Sequence, residues 1–375
     1  MISRYFRDKL HKVRTNRAGT ATKAALALCV CILLGGCGSS SDNIKTAYDC
    51  LGALDYTGAL AALSNAENAG EDAREIARAR GIAYLGQADY ANAVEQFTTS
   101  LNSGTGYPDE MDVDINYYLA AAYDGMGDYA SAEDRYNAII AYCDETESYL
   151  LRAAARLKQG KFEDAVSDFN VVTSRKPDDY NTLIEIYEML TAIGYRDAGL
   201  EYIKTAIAAD TGKMTDSEKG RMYYYMGEYT QAAALLESAR NSDGSITSSL
   251  FLGRAYEALN EYNYAANVYE SYMGSKGASS ELYDQLGLCR LKMGEYEAAL
   301  EAFKAGMECD DGTFAKSLEY NLACAYEYNA DFQTAYEMMQ SYVAKYPDDE
   351  EAARELLFLE TRVNQVSQGD GSTDS

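Results

Sequence analysis

The chain has 375 residues, 47% hydrophobic and 25% charged, the composition of a folded protein long enough for two domains or one repeat array. Its net charge of −26 disfavours nucleic acid and anionic lipid headgroups as partners, because like charges repel. The one histidine, His11, lies near the N-terminus, so the rest of the chain lacks the residue on which Ser-His-Asp catalysis, Cys-His catalysis and most zinc sites depend.

Residues 1–36 have the pattern of an export signal. A basic segment with seven Lys or Arg and one Asp precedes the eleven-residue apolar run "AALALCVCILL", and small residues follow. At ~1.5 Å per residue, such a run spans about half of a bilayer core. The sequence therefore predicts a signal peptide over residues 1–36 rather than a stable transmembrane helix.

The "LGGC" motif at 34–37 resembles the lipobox of bacterial lipoproteins. The resemblance implies cleavage before Cys37 and lipidation of Cys37, with residues 37–41 as a lipid-anchored linker. The alternative is a plain secretory signal with an incidental cysteine. Removal of residues 1–36 would change the net charge from −26 to −32, so the predicted anchor is covalent rather than electrostatic.

A repeat runs through the rest of the chain. Nine seventeen-residue windows align with Tyr or Phe at the tenth place, Ala at the thirteenth and a large apolar residue at the last. The tenth places are Tyr56, Tyr90, Tyr129, Phe162, Tyr195, Tyr229, Tyr262, Tyr296 and Phe332, and the thirteenth are Ala59, Ala93, Ala132, Ala165, Ala198, Ala232, Ala265, Ala299 and Ala335. Most windows open with Gly or Ala, which predicts close approach of two helices.

This pattern resembles the tetratricopeptide repeat, a helix–turn–helix unit of about 34 residues. The resemblance covers residues 42–349 and implies an all-α fold, a right-handed α–α superhelix of about nine repeats. Residues 350–366 are predicted to form an amphipathic capping helix, because an open end would expose a core face. Residues 367–375 are predicted to form a disordered tail.

Five cysteines remain beyond Cys37, an odd number without paired spacing, which does not indicate a disulfide framework. We expect these to be buried small hydrophobic residues: Cys50, Cys143, Cys289, Cys309 and Cys324.

No phosphate-binding loop, dinucleotide-binding glycine motif or CxxC pair is present in the sequence. Carboxylates are numerous, so a catalytic acid pair is the open alternative, but most acids occupy places expected to face solvent. The sequence predicts a protein without enzymatic activity, cofactor or metal.

The resemblance implies that the first helix of each repeat lines a concave surface. Side chains one, four and five places after the opening residue should face this groove, and they include cationic and aromatic groups: Tyr187, Arg221, Tyr224, Tyr225, Arg254, Lys292 and Tyr328. Such a wall would suit an extended peptide with acidic side chains or a terminal carboxylate. The alternative is that both arginines pair with Glu257 and Asp284 and the tyrosines only fill the groove. Tyr223 and Tyr229 are interpreted as structural.

The predicted function is a lipid-anchored scaffold or adaptor that binds protein or peptide partners in a bacterial envelope assembly. It is expected at the cell membrane, facing outside the cytoplasm, and not to bind nucleic acid. The alternative is a protein that binds polysaccharide or glycopeptide, since tyrosine-rich grooves can stack on sugars.

Overall fold

The computed structural model describes residues 42–104, 106–310 and 312–369. The predicted signal peptide, Cys37 and the last six residues lie outside them. The described residues form α-helices joined by turns and short loops, which confirms the predicted all-α class. The chain divides between Asp179 and Tyr180 into two compact units.

The first unit is a stack of four helical hairpins. Its helices are α1 (Asp42–Gly52), α2 (Tyr56–Asn68), α3 (Ala73–Gly86), α4 (Tyr90–Asn102), α5 (Glu110–Gly125), α6 (Tyr129–Cys143), α7 (Thr146–Lys158) and α8 (Phe162–Arg175). Consecutive helices pack against each other, and the first helices of neighbouring hairpins also meet, α1 with α3 and α3 with α5.

The second unit contains five hairpins and a closing helix. Its helices are α9 (Tyr180–Ala192), α10 (Arg196–Ala209), α11 (Asp216–Met226), α12 (Tyr229–Asp243), α13 (Ile246–Ala258), α14 (Tyr262–Lys276), α15 (Ser280–Lys292), α16 (Tyr296–Cys309), α17 (Ala315–Tyr328), α18 (Phe332–Lys345) and α19 (Glu350–Gly369). The first helices α9, α11 and α13 lie side by side, as do α15 and α17. Helix α19 packs on α18 as predicted for a cap, and it extends three residues beyond the predicted end at residue 366.

The repeat places have the structural roles that the sequence predicted. Eight of the nine aromatic residues are the first residue of the second helix, and the alanines of the same eight repeats are fully buried. Aspartate caps several of these helices; the Asp89 side chain, for example, accepts a hydrogen bond from the Asn92 backbone N–H. Since each cap satisfies an otherwise unpaired N–H, it fixes where the second helix begins.

The small residue that opens a window allows the two helices of a hairpin to touch. A Cβ added to Gly81 would lie 2.5 Å from the Phe97 ring, and one added to Gly287 would lie 2.4 Å from the Phe303 ring. Both rings are fully buried and occupy the last place of their window. Glycine and a large apolar residue at these two places are therefore complementary halves of one contact.

The fifth repeat departs from the predicted register by one residue. A left-handed residue ends the turn two places before the aromatic in "GDY", "GKF" and "GEY", whereas Gly194, with φ +87°, directly precedes Tyr195. Helix α10 consequently begins at Arg196, and Tyr195 is 46% exposed. Gly199, not Ala198, takes the buried place: a Cβ there would lie 3.1 Å from the Tyr187 Cα.

The expected burial of the cysteines is only partly confirmed. Cys289 is buried, Cys50 and Cys324 are half-buried, and all five thiols are free. The prediction is wrong for Cys143 and Cys309, which are exposed because each is the last residue of a second helix, where the chain leaves the core.

Candidate functional site

Four aromatic rings from three first helices meet in the second unit. Tyr187 lies on α9, Tyr224 and Tyr225 on α11, and Phe251 on α13. The Tyr187 and Tyr225 ring centroids are 4.6 Å apart, and Phe251 lies edge-on to Tyr224 at 5.4 Å and to Tyr225 at 5.5 Å. We call these four residues the aromatic cluster. Such contacts hold the three helices in one wall.

The sequence placed Tyr187 in the groove, but the structure buries it to 5% exposure. The one-residue shift of the fifth repeat is the reason, because Tyr187 then occupies the small-residue place and faces Gly199. Glu188 takes the place that Arg221 and Arg254 hold in the next two repeats. The sequence signal for this shift was the position of Gly194, which directly precedes the repeat aromatic Tyr195.

The three consecutive tyrosines do not divide as cleanly as predicted. Tyr223, Tyr224 and Tyr225 are all half-buried and pack against the core of α12 and α13. Tyr224 and Tyr225 therefore contribute to core packing, besides any role in binding. Burial raises the pKa of both hydroxyls, and the nearby Glu188 carboxylate raises that of Tyr225 further.

Arg221 and Arg254 both lie over the Phe251 ring. The Arg221 Cζ lies 5.2 Å and the Arg254 Cζ 5.7 Å from its centroid, within the range of cation–π attraction. The sequence analysis missed Phe251. Its position three residues before Arg254 on one helix was the available signal, because residues so spaced share a helix face.

The alternative pairing of these arginines with Glu257 and Asp284 is wrong. Arg221 Nη1 donates to the Asn181 side-chain oxygen at 2.7 Å, and Arg254 Nη2 lies 3.4 Å from a Glu281 oxygen. Glu257 accepts from the Tyr269 hydroxyl, and Asp284 accepts from Ser317 and Asn321. Glu257 therefore bonds to a residue of α14, and Asp284 bonds to two residues of α17.

The positive charge of Arg221 is only lightly compensated. Its direct partner, Asn181, is neutral, and its Nε is buried without a hydrogen-bond partner in the described part of the chain. In the first unit, Arg78 lies similarly between the rings of Tyr48 and Tyr118, yet its Nε donates to Asp114 at 2.9 Å. Of these two arginines, Arg221 is therefore the one without a carboxylate as its direct partner.

Lys292 and Tyr328 lie apart from this arrangement, on α15 and α17. Lys292 is exposed; Tyr328 is 60% exposed and stacks on Tyr296 at 6.0 Å. Neither contacts the aromatic cluster within the described residues. The structure thus brings together five of the seven predicted residues.

The fold defines a class of protein built from stacked helical hairpins, in which the first helices of several neighbouring hairpins meet within each unit. Residues 117–180 and 317–349 each match a family model described as tetratricopeptide repeat. The chain accordingly contains tetratricopeptide repeats in these two parts. Its fold is that of a scaffold for protein–protein interaction, the coarser form of the predicted function.

Several solved structures of low sequence identity resemble this chain. Yeast Tom70 is 13% identical, with 87% of this chain and 82% of that chain covered and a TM-score of 0.51. A tetratricopeptide repeat protein from Parabacteroides merdae is 14% identical over 68% of this chain and 98% of its own, at 0.46. Human IFIT1 with PPP-AAAA is 16% identical over 86% and 87%, at 0.42. Among curated proteins, none matches the sequence.

Across residues 42–104, 106–310 and 312–369, no helix combines the length and apolar character needed to cross a bilayer. The same residues contain no group of three His, Cys, Asp or Glu side chains placed to hold a metal ion.

Proposed function

We propose that this protein is a lipid-anchored, non-enzymatic adaptor that holds protein partners in a bacterial envelope assembly. The observation that carries the proposal is the pair Arg221 and Arg254, both over the Phe251 ring, on the wall formed by α9, α11 and α13. The partner segment is an extended peptide that carries a carboxylate, from an acidic side chain or its own C-terminus.

The physical argument rests on charge and preorganisation. Arg221 is held by Asn181 and by its stacking on Phe251, so little side-chain freedom is lost when a carboxylate binds. A guanidinium can donate two parallel hydrogen bonds to a carboxylate, which gives geometric specificity as well as affinity. The rest of the chain repels acidic peptides, since the net charge is −26. A carboxylate is therefore directed to the places where cations are exposed, and nucleic acid is disfavoured.

The cellular location of the protein is proposed from the sequence. The export signal and the "LGGC" motif support cleavage before Cys37 and its lipidation, which would hold the chain on the outer side of the cytoplasmic membrane or beyond it. Replacing Cys37 by Ser should release the protein from the membrane fraction and abolish incorporation of labelled palmitate. Unchanged membrane association of this variant would contradict the anchor.

The binding proposal is tested with the double variant Arg221→Glu and Arg254→Glu in the full-length protein. Crosslinking and mass spectrometry in the native cell should recover a partner with the wild type and lose it with the variant, while circular dichroism shows unchanged helicity. The matched control is Lys204→Glu with Lys304→Glu, the same charge change on the second helices α10 and α16, where both lysines are exposed. This control should keep the partner.

Equal recovery of partners by the wild type and the arginine variant would overturn the proposal. So would glycan-array binding without a protein partner, which would favour the polysaccharide-binding alternative instead.

A further inference from the structure

Three neighbouring hairpins each contribute one charged residue beside the aromatic cluster. Glu188 on α9, Arg221 on α11 and Arg254 on α13 occupy equivalent places in successive repeats. Glu188 is exposed, Arg221 is half-buried and the Arg254 side chain is 31% exposed. The wall formed by α9, α11 and α13 therefore presents one acid followed by two bases, in the order of its helices.

These three charges lie around one hydroxyl group, that of Tyr225. Tyr225 donates a hydrogen bond to the Glu188 carboxylate. Burial raises the pKa of the Tyr225 hydroxyl, the charge of Glu188 raises it further, and the charges of Arg221 and Arg254 lower it. Both arginines also lie over the Phe251 ring, which itself contacts Tyr225. The acid and the two bases are therefore close enough for one short peptide to reach all three.

The charge of Glu188 has no cationic partner in the described part of the chain. Its carboxylate accepts from the neutral Tyr225 hydroxyl, and it forms no ion pair with a Lys or Arg of these residues. Arg221 is in the same situation, because its direct partner is the neutral Asn181 side chain. A ligand that brings a cation to Glu188 and a carboxylate to Arg221 would compensate both charges.

The distance between neighbouring helices sets the spacing that such a ligand needs. Packed helices lie about 8–10 Å apart. A polyproline II segment has three residues per turn and rises about 3.1 Å per residue, so side chains three places apart point the same way at a separation of about 9 Å. In a β-strand, side chains on one face are two places apart, at about 7 Å, which matches the helix spacing less well.

We propose that this wall selects a peptide with a basic residue three places from an acidic one, the basic side chain at Glu188 and the acidic side chain at Arg221. The inference rests on the proposed function and narrows it to a partner segment of mixed charge in a defined order. A purely acidic segment is disfavoured because Glu188 repels it. Arg254, one helix further along, favours a second acid three places beyond the first.

The test uses three capped and identically labelled octaproline peptides, since proline favours polyproline II. The first has Lys at its third place and Glu at its sixth, the second moves Lys to its second place, and the third replaces Lys by Gln. The first two have the same composition, so the attraction of an acidic protein for any lysine cancels between them. Fluorescence anisotropy with the full-length protein in mild detergent at low salt measures each Kd.

The wild type should bind the first peptide about threefold to fivefold more tightly than the second or the third, the size expected of one solvent-exposed charge pair. Glu188→Gln keeps an acceptor for the Tyr225 hydroxyl and removes the charge, so it should bind the first two peptides equally. The matched control is Glu301→Gln, an exposed acid on the second helix α16, which should retain the wild-type preference.

The outcomes separate this inference from the function on which it rests. Equal affinity of the wild type for the first two peptides, or a preference that persists in Glu188→Gln, would overturn the charge order and leave the arginine site standing. If the double variant Arg221→Glu and Arg254→Glu bound the Gln-containing peptide as tightly as the wild type, or if the wild type bound none of the three, both proposals would fall.

Discussion

The hydroxyl of Tyr225 on α11 donates a hydrogen bond to the carboxylate of Glu188 on α9. The bond joins two helices of the wall formed by α9, α11 and α13, and it adds to the ring contact between Tyr225 and Tyr187. It also places an acid beside the proposed binding surface, which restricts where a partner carboxylate can lie.

Tyr225→Phe should keep the ring contacts and lose only this bond. We expect the free energy of unfolding to fall by about 1 kcal/mol, a modest value because Glu188 is exposed. Urea denaturation followed by circular dichroism measures this. Tyr224→Phe is the control: its hydroxyl has no hydrogen bond among the described residues, so its stability should match the wild type. An equal loss in both variants would contradict the role of the bond.

Gly253→Ala should be strongly destabilising. The added Cβ would lie 2.2 Å from the Tyr269 ring, which is fully buried and cannot move aside, so we expect a loss of about 2–3 kcal/mol. The control is Gly274→Ala on α14, where an added Cβ meets nothing within 4 Å. That variant should gain up to about 1 kcal/mol from helix propensity. Thermal unfolding should show a lower Tm than the wild type for Gly253→Ala and an equal or higher Tm for Gly274→Ala.

Asp168 is the more deeply buried of two buried acids, Asp168 and Glu133, in the described part of the first unit. It is 2% exposed and accepts from Arg152 at 2.6 Å and from Arg156 at 2.8 Å. Asp168→Asn removes the charge without changing the shape and leaves both guanidinium groups undercompensated, so we expect a loss of about 3 kcal/mol. Asp144→Asn breaks the exposed pair with Arg175 and should have no measurable effect. Similar denaturation midpoints for the two variants would contradict this difference.

The cap is expected to be sensitive to pH near neutrality. Burial, a hydrogen bond with Glu355 and the charge of that residue raise the pKa of Glu327 to about 7. The folded state thus keeps a proton that the unfolded chain releases near pH 4.5. Its contribution to stability is present below that value and is lost as the pH rises through 7. Helix α19, which carries Glu355, should loosen over this interval.

Amide hydrogen exchange of α19 at pH 5.5 and 8, corrected for the intrinsic rate, measures that effect. Glu327→Gln stays uncharged at both values and should show the same protection at each. Unchanged protection of α19 in the wild-type protein between pH 5.5 and 8 would contradict the raised pKa of Glu327.

Much of the fold could be predicted because the repeat is local. Tyr or Phe at the tenth place, Ala at the thirteenth and a left-handed turn residue two places before the aromatic each report an event within one hairpin, and eight repeats follow that frame. Of the site, the sequence identified Arg221, Arg254, Tyr224 and Tyr225. It missed Phe251, which lies outside the seventeen-residue window, and it misplaced Tyr187 by one residue.

The sequence by itself determined the helical hairpins, their number and the faces that they bury, because these follow from spacing along one helix pair. Only the tertiary structure decided the register of the fifth repeat, where the left-handed Gly194 sets the start of α10 and turns Tyr187 into the core. It also decided that Arg254 meets Glu281 and that Arg221 meets Asn181. Those outcomes depend on side chains from different helices meeting in space, which spacing along the chain does not specify.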